Sequence, residues 1–217
     1  MPDHSRRDVM AGAVFAGAAT LTASDAMAQG TSQGASQATS QGASMHQGMS
    51  YDDVRKLLNL EPNATCGYVR VTFMSPQRIA PGGLPAPFEA GRPMGSALYF
   101  MLTPDEPVKL HRIRNDQFYH YYLGDPIEVL MLMTDGSTQH HVVGPDLRAG
   151  QTVQLFIPGN TFHTARVTGS RRWFLGGSTE WPGVEPADVE LGKMDELAAK
   201  YPSVAQQIRT YPLPAKG

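Results

Sequence analysis

The chain has 217 residues, 41% of them hydrophobic and 18% charged, with one cysteine and 18 basic against 20 acidic side chains. That length allows one domain of ordinary or generous size, and a net charge of −2 offers no basic surface for nucleic acid. A single cysteine excludes a disulfide framework and a thiolate zinc site, so the balance is that of a soluble globular protein handling something small.

Residues 1–28 read as an export signal of the twin-arginine type. Ser5-Arg6-Arg7 precedes an uncharged apolar run from Met10 to about Ala23, followed by Ala26-Met27-Ala28. The run is too short for the roughly 20 residues that cross a bilayer, so no stable membrane span is expected and the mature chain is expected to be periplasmic or exported. Residues 29–50 repeat Ser, Gln, Gly and Ala with almost no apolar side chains, a composition that cannot offset the entropy of ordering; they read as a disordered linker, in which His46 is incidental.

The folded domain is expected over 51–217. Ser50 can cap a helix with Asp53 as its reciprocal partner, and Val54, Leu57 and Leu58 give that helix one apolar face until Pro62 ends it. Short β-rich runs punctuated by Gly, Pro, Asn and Asp follow. They predict strands near Gly67–Phe73, Ser96–Leu102, Pro107–Ile113, Gln117–Leu123, Ile127–Met133, Thr138–Val143, Thr152–Ile157, Phe162–Val167 and Arg172–Gly177, hence an all-β sandwich or barrel rather than βαβ units. The Pro- and Gly-bearing stretch 77–95 reads as a long loop able to lie over a barrel mouth. Helical spacing returns at Met194, Leu197 and Ala198, and again at Val204, Ile208 and Tyr211, predicting short helices outside the β core.

Five of the seven histidines fall between His111 and His163, and imidazole is both a proton carrier near neutral pH and the commonest metal ligand. Alternation puts Lys109, His111 and Ile113 on one face of their strand and Val108, Leu110 and Arg112 on the other. Without a bulge, Gln117 and His120 cannot share a cavity, and at most one of His140 and His141 points inward. Tyr68, Arg70 and Thr72 share a face. An inward Arg70 would anchor a carboxylate or phosphate, and an outward one would sit on a solvent-exposed edge. Tyr119, Tyr121 and Tyr122 can stack on a ring, supply a phenolic acid, or pack in the core. Cys66 has no basic sequence neighbour to lower its pKa and is expected to be inert.

His111-x-Ile113, Gln117, Gly124, Gly150 and Pro158-Gly159-Asn160-Thr161-Phe162-His163 resemble the two signature motifs of the cupin superfamily, whose small jelly-roll barrels hold a metal through His, His, Glu and a further His. The flanking Gly67-Tyr68-Val69-Arg70, Ala97-Leu98-Tyr99-Phe100, Tyr119-His120, Gly124-Asp125-Pro126-Ile127-Glu128, Gly144-Pro145-Asp146-Leu147 and Asp188-Val189-Glu190-Leu191 are similar to a cupin branch of unknown function that is related in fold to the dTDP-keto-sugar epimerases. The resemblance spans about residues 57–191. It implies a double-stranded β-helix and a homodimer.

The departures from that pattern matter. Ile113 stands in the second His slot and Gln117 in the Glu slot; the branch usually carries an acid at the position of Gln117 and a Gln at that of His163, and this sequence has exchanged them. A set of His111, Gln117 and His163 would suit a borderline metal such as Zn, Fe, Ni or Co, and needs a further contribution to complete three firm ligands. Otherwise His111 and His163 are hydrogen-bonded residues of a polar barrel. The resemblance implies an isomerase or epimerase that moves a proton beside a carbonyl of a sugar-like or carboxylated metabolite. His111 or His120 would be the base, Tyr119, Tyr121 or Tyr122 the acid, and Tyr68, Arg70, Gln117 and Tyr121 the ligand contacts. A non-catalytic periplasmic module binding a small ligand or metal and a metal-dependent oxygenase are the other readings open to the fold.

Overall fold

The computed structural model describes residues 48–169 and 172–213; the segment expected to be an export signal, nearly all of the expected linker and His46 lie outside them. Helix α1 spans Tyr51–Leu58 and starts as its sequence requires. The Ser50 hydroxyl accepts from the Asp53 N–H while the Asp53 carboxylate accepts from the Ser50 N–H. The helix stops at Asn59, in the left-handed conformation with its N–H returned to the last turn, before Pro62 is reached. Ser50→Ala should cost about 1 kcal/mol, read as a lower urea midpoint at unchanged m-value.

Thirteen strands follow among the described residues: β1 Glu61–Pro62, β2 Tyr68–Met74, β3 Arg78–Ile79, β4 Arg92–Pro93, β5 Ser96–Leu102, β6 Val108–Ile113, β7 Asp116–Gly124, β8 Ile127–Leu132, β9 Thr138–Val143, β10 Gln154–Ile157, β11 Phe162–Val167, β12 Phe174–Trp181 and β13 Val189–Leu191. Helices α2 (Met194–Lys200) and α3 (Ala205–Thr210) close the chain. Two antiparallel sheets, ordered β1-β2-β5-β12-β7-β10 and β13-β6-β11-β8-β9, face each other as a jelly-roll barrel. The loop expected over 77–95 carries a small hairpin of its own, β3 with β4.

Three apolar clusters explain the patterns. Phe100, Tyr119, Ile127, Val129, Met131, Ile157 and Phe174 pack between the sheets. Leu110, Leu130 and Leu132 point out of the five-stranded sheet and are covered by Leu197, Tyr201, Val204 and Ile208 of the C-terminal segment. Met101, Trp173 and Leu175 point out of the six-stranded sheet under Val54 and Leu60 of the α1 region. β8 is therefore apolar on both faces, which is why its sequence reads as a continuous run rather than an alternation.

Two local features depart from strict alternation. β6 pairs with β11 through His111↔His163 and Val108↔Ala165, so three residues of β6 span two of β11. This bulge turns Val108 and His111 both toward the interior and leaves Lys109 exposed, against the expectation that Lys109 and His111 share a face. β12 begins at Phe174 and runs four residues beyond Gly177. A Cβ at Gly176 would meet the His120 carbonyl, and one at Gly177 would meet the Tyr122 ring. The Gly pair thus permits close approach in mid-strand and is not a terminator.

Candidate functional site

The strand register decides what faces inward. Across the six-stranded sheet, Met74, Ser96, Glu180, Gln117 and Ile157 form one row, and Val71, Leu98, Ser178, Tyr119 and Leu155 the next. His111 and Ile113 of β6 face them from the other sheet. All of these side chains except Ile157 and Leu155, together with Cys66, Val69, Phe100 and the segment Val184–Pro186, line a cavity of about 660 Å³, within the roughly 300–1,000 Å³ usual for small-molecule sites.

The polar groups in it are arranged with definite proton positions. His111 Nδ1 lies 2.8 Å from the Lys109 carbonyl. A carbonyl only accepts, so Nδ1 carries the proton and Nε2 keeps a lone pair on a ring that lines the cavity. His163 sits behind, its ring centroid 4.4 Å from that of His111. Its Nδ1 lies 3.2 Å from the Thr161 carbonyl, leaving Nε2 to accept the Tyr119 hydroxyl at 2.8 Å. Burial pushes His111 down to about 4, against the opposing Lys109 hydrogen bond. Burial, then the neighbouring His111, push His163 well below its usual range. Tyr119 is held protonated, its pKa raised by burial and by the nearby Cys66 and Glu180.

Glu180 is the residue that sequence reasoning missed. It is buried on β12, accepts hydroxyl hydrogen bonds from Ser178 and Ser96 on its two oxygens, and has its pKa raised by burial despite those donors. Ser178 also lies 3.4 Å from Gln117 Oε1. Cys66 lines the cavity with its thiol pushed up to about 11 by burial, consistent with an inert side chain.

Of the candidate site residues singled out by sequence, the structure gathers His111, Gln117 and Tyr119 at the cavity, beside Cys66 and Ile113, with His163 behind Tyr119. It does not bring the others there. Arg70 points outward, its guanidinium donating to the Leu58 carbonyl at 3.2 Å, and Tyr68 packs near α1 beneath Arg55. His120 lies on the outer face of β7, bonded to Thr179 and Gln154, with Tyr122 beside it. Tyr121 packs against the barrel core and gives its hydroxyl to the Gly124 carbonyl. His140 is exposed on β9, and half-buried His141 contacts Gln139. The outward Arg70 leaves the anionic-group anchor expected of it unfilled, and no Lys or Arg lines the cavity among the described residues.

The donor set does not fit a resident divalent metal. Of the proposed ligands, only His111 lines the cavity with an unprotonated ring nitrogen that has no hydrogen-bond partner; that of His163 is taken by Tyr119, and Gln117 offers a neutral amide. Among the described residues no three His, Cys, Asp or Glu side chains converge as a metal site would require.

The two neutral imidazoles make the fold acid-sensitive. Between pH 6.5 and 4 the unfolded chain binds protons that folded His111 refuses. Its stability contribution is therefore complete above pH 6.5 and falls as pH drops, by on the order of 3 kcal/mol at pH 4, with His163 adding in the same direction. Urea midpoints measured across that range should show the loss, flattened in His111→Gln; a pH-independent midpoint would refute it.

Comparison with known proteins agrees with the fold. No functionally curated protein matches the chain. A hypothetical protein from Leishmania major superposes with a TM-score of 0.69 at 22% identity, covering 76% of this chain and 99% of its own. A protein from Shewanella oneidensis does so with a TM-score of 0.67 at 25% identity, with the same coverage of both chains. The family model described as Cupin superfamily (DUF985) matches residues 52–192, from the first turn of α1 to just past β13. With the jelly-roll register and the inward His111 and His163 strands, this match places the chain in the cupin superfamily, in its DUF985 family.

Proposed function

We propose that the barrel is an enzyme site that moves a proton at the carbon beside a carbonyl, an isomerase-type reaction. The observation that carries the reading is the fixed tautomer of His111, whose ring lines the cavity from one sheet with Nε2 unprotonated, while Glu180 lines it from the other. His111 Nε2 takes the proton, the C–H electron pair becomes the C=C bond of an enol, and the carbonyl oxygen receives the Glu180 proton. Returning a proton to the carbon regenerates both groups. Oppositely shifted acid and base on facing walls suit this division of roles, since burial keeps His111 unprotonated and favours the protonated form of Glu180.

The test is incubation with a panel of ketones in deuterated water. Deuterium should enter at the carbon beside the carbonyl in a protein-dependent way. A non-catalytic binding module is the second reading, favoured by the internal partners that Tyr119 and Glu180 already have. Stoichiometric binding of a panel member with no exchange in any would select it and overturn the first.

A further inference from the structure

The cavity is not closed on all sides. β9 and β10 join the two sheets at one edge through the Thr152 N–H to the Val142 carbonyl and the Gly144 N–H to the Thr152 carbonyl. At the other edge, among the described residues, β13 pairs only with β6, and β2 beyond Val69 pairs only with β5. The inward side chains of these two edge strands line the cavity and yet are exposed: Val71 by 56%, Met74 by 43%, Val189 by 37% and Leu191 by 56%. The buried polar side chains Ser96, Glu180, Ser178 and Gln117 lie further in, on β5, β12 and β7, with His111 opposite, while Asn63, Thr65 and Glu185 are half-buried elsewhere in the lining. The site thus has a polar inner end and, between β2 and β13, an apolar passage and edge.

Resting on the reading of the barrel as a proton-transfer site, we infer that its substrate class is an uncharged carbonyl compound bearing an apolar chain or ring system, with the carbonyl at Glu180 and His111 and the apolar part lying toward the gap between β2 and β13. An anionic head would be buried beside Glu180 with no cation in the lining among the described residues, and burying an unpaired charge is costly. A cationic head would need the charge of a Glu180 carboxylate, which the proton-transfer reading keeps protonated and neutral, so the cation too would be buried unpaired. A short hydrophilic ketone would leave Val71, Met74 and Leu191 uncovered, forfeiting the main attraction the passage offers.

The test uses the full chain and three matched probes, undecan-2-one, undecanoate and undecylammonium, with butan-2-one as the short control. Calorimetry should show one undecan-2-one per chain, bound about tenfold or more tighter than either ion and more than about 100-fold tighter than butan-2-one. Val71→Lys and Leu191→Glu, both at exposed positions, should each weaken the ketone at least about fivefold with the thermal midpoint unchanged. Equal or tighter binding of an ion, or ketone binding that ignores both substitutions, would overturn the inference. Undecan-2-one bound without deuterium exchange would sink the proton-transfer reading and leave the ligand class standing. Exchange as fast on butan-2-one as on undecan-2-one would sink the class alone.

Discussion

His111→Ala is expected to slow protein-dependent deuterium exchange by about 10²–10⁴-fold, the range over which a positioned general base contributes. The loss should fall on turnover more than on ligand affinity, because the apolar passage that binds most of the ligand is untouched. His111→Gln, which keeps much of the side-chain volume but has no basic nitrogen, should be equally slow while retaining binding. Glu180→Gln should also slow exchange, since an amide can donate a hydrogen bond to the carbonyl oxygen but cannot deliver the proton. The pH dependence separates this from a structural role. With the His111 lone pair held free down to about pH 4, exchange should persist into mild acid until either the base or the fold is protonated away. His111→Ala retaining the wild-type rate would remove His111 from the mechanism.

That assignment also shows where sequence reading reached and where it stopped. The β core was legible because its runs are apolar, β-branched and punctuated by turn residues, and the Ser50–Asp53 box announced α1 outright. The facing of His111 was harder: it rests on a bulge at Lys109 and Leu110 that nothing in the local residues marks, and alternation alone assigns the wrong neighbours to that face. Glu180 was hidden for a different reason. Gly176-Gly177 looks like the end of a strand, and Ser178, Thr179 and Glu180 carry little β signal of their own. What continues the strand is tertiary, pairing with β5 on one side and β7 on the other, over glycines that let the His120 carbonyl and the Tyr122 ring lie close. One signal was available: Ser178 and Glu180 share a period of two with Gly176, so extending the strand would have placed both on one face. Arg70 and His120 were ambiguous because a strand face has no sign until its register with its neighbours is known.

The rim of the cavity depends on a contact that sequence could not pair, Arg92 with Asp188, 96 residues apart. Arg92 sits in the small hairpin, and Asp188 ends the turn just after the cavity-lining Val184, Glu185 and Pro186. The guanidinium binds the carboxylate through Nε at 2.9 Å and an Nη at 2.7 Å, and a further Nη donates to the Gly91 carbonyl at 2.7 Å. Both side chains are buried. Burial alone would raise the Asp188 pKa, but the hydrogen bonds from Arg92 and from the Glu185 N–H outweigh it and hold the carboxyl below its usual 3.8. The contribution of this carboxylate to stability is therefore complete above pH 3.8 and is lost as pH falls through the lower folded value. Arg92→Ala should cost about 3–5 kcal/mol at pH 7, because it strands a buried charge rather than merely deleting a bond. Without its partner, burial of Asp188 is opposed only by the Glu185 N–H and the Arg114 charge, so its pKa rises from the wild-type position and it can fold protonated at a higher pH than in wild type. The penalty of Arg92→Ala relative to wild type should thus shrink as pH is lowered toward 4.5, opposite in sign to what loss of a simple packing contact would do. Arg92→Met with Asp188→Leu, which removes both charges and keeps volume, should be far less damaging than either single change. Urea unfolding of the five proteins (wild type, Arg92→Ala, Arg92→Met, Asp188→Leu and the double variant) at the two pH values tests this. A penalty for Arg92→Ala below about 1 kcal/mol, or one that does not change with pH, would mean that the wall of the cavity is held by packing instead of by this pair.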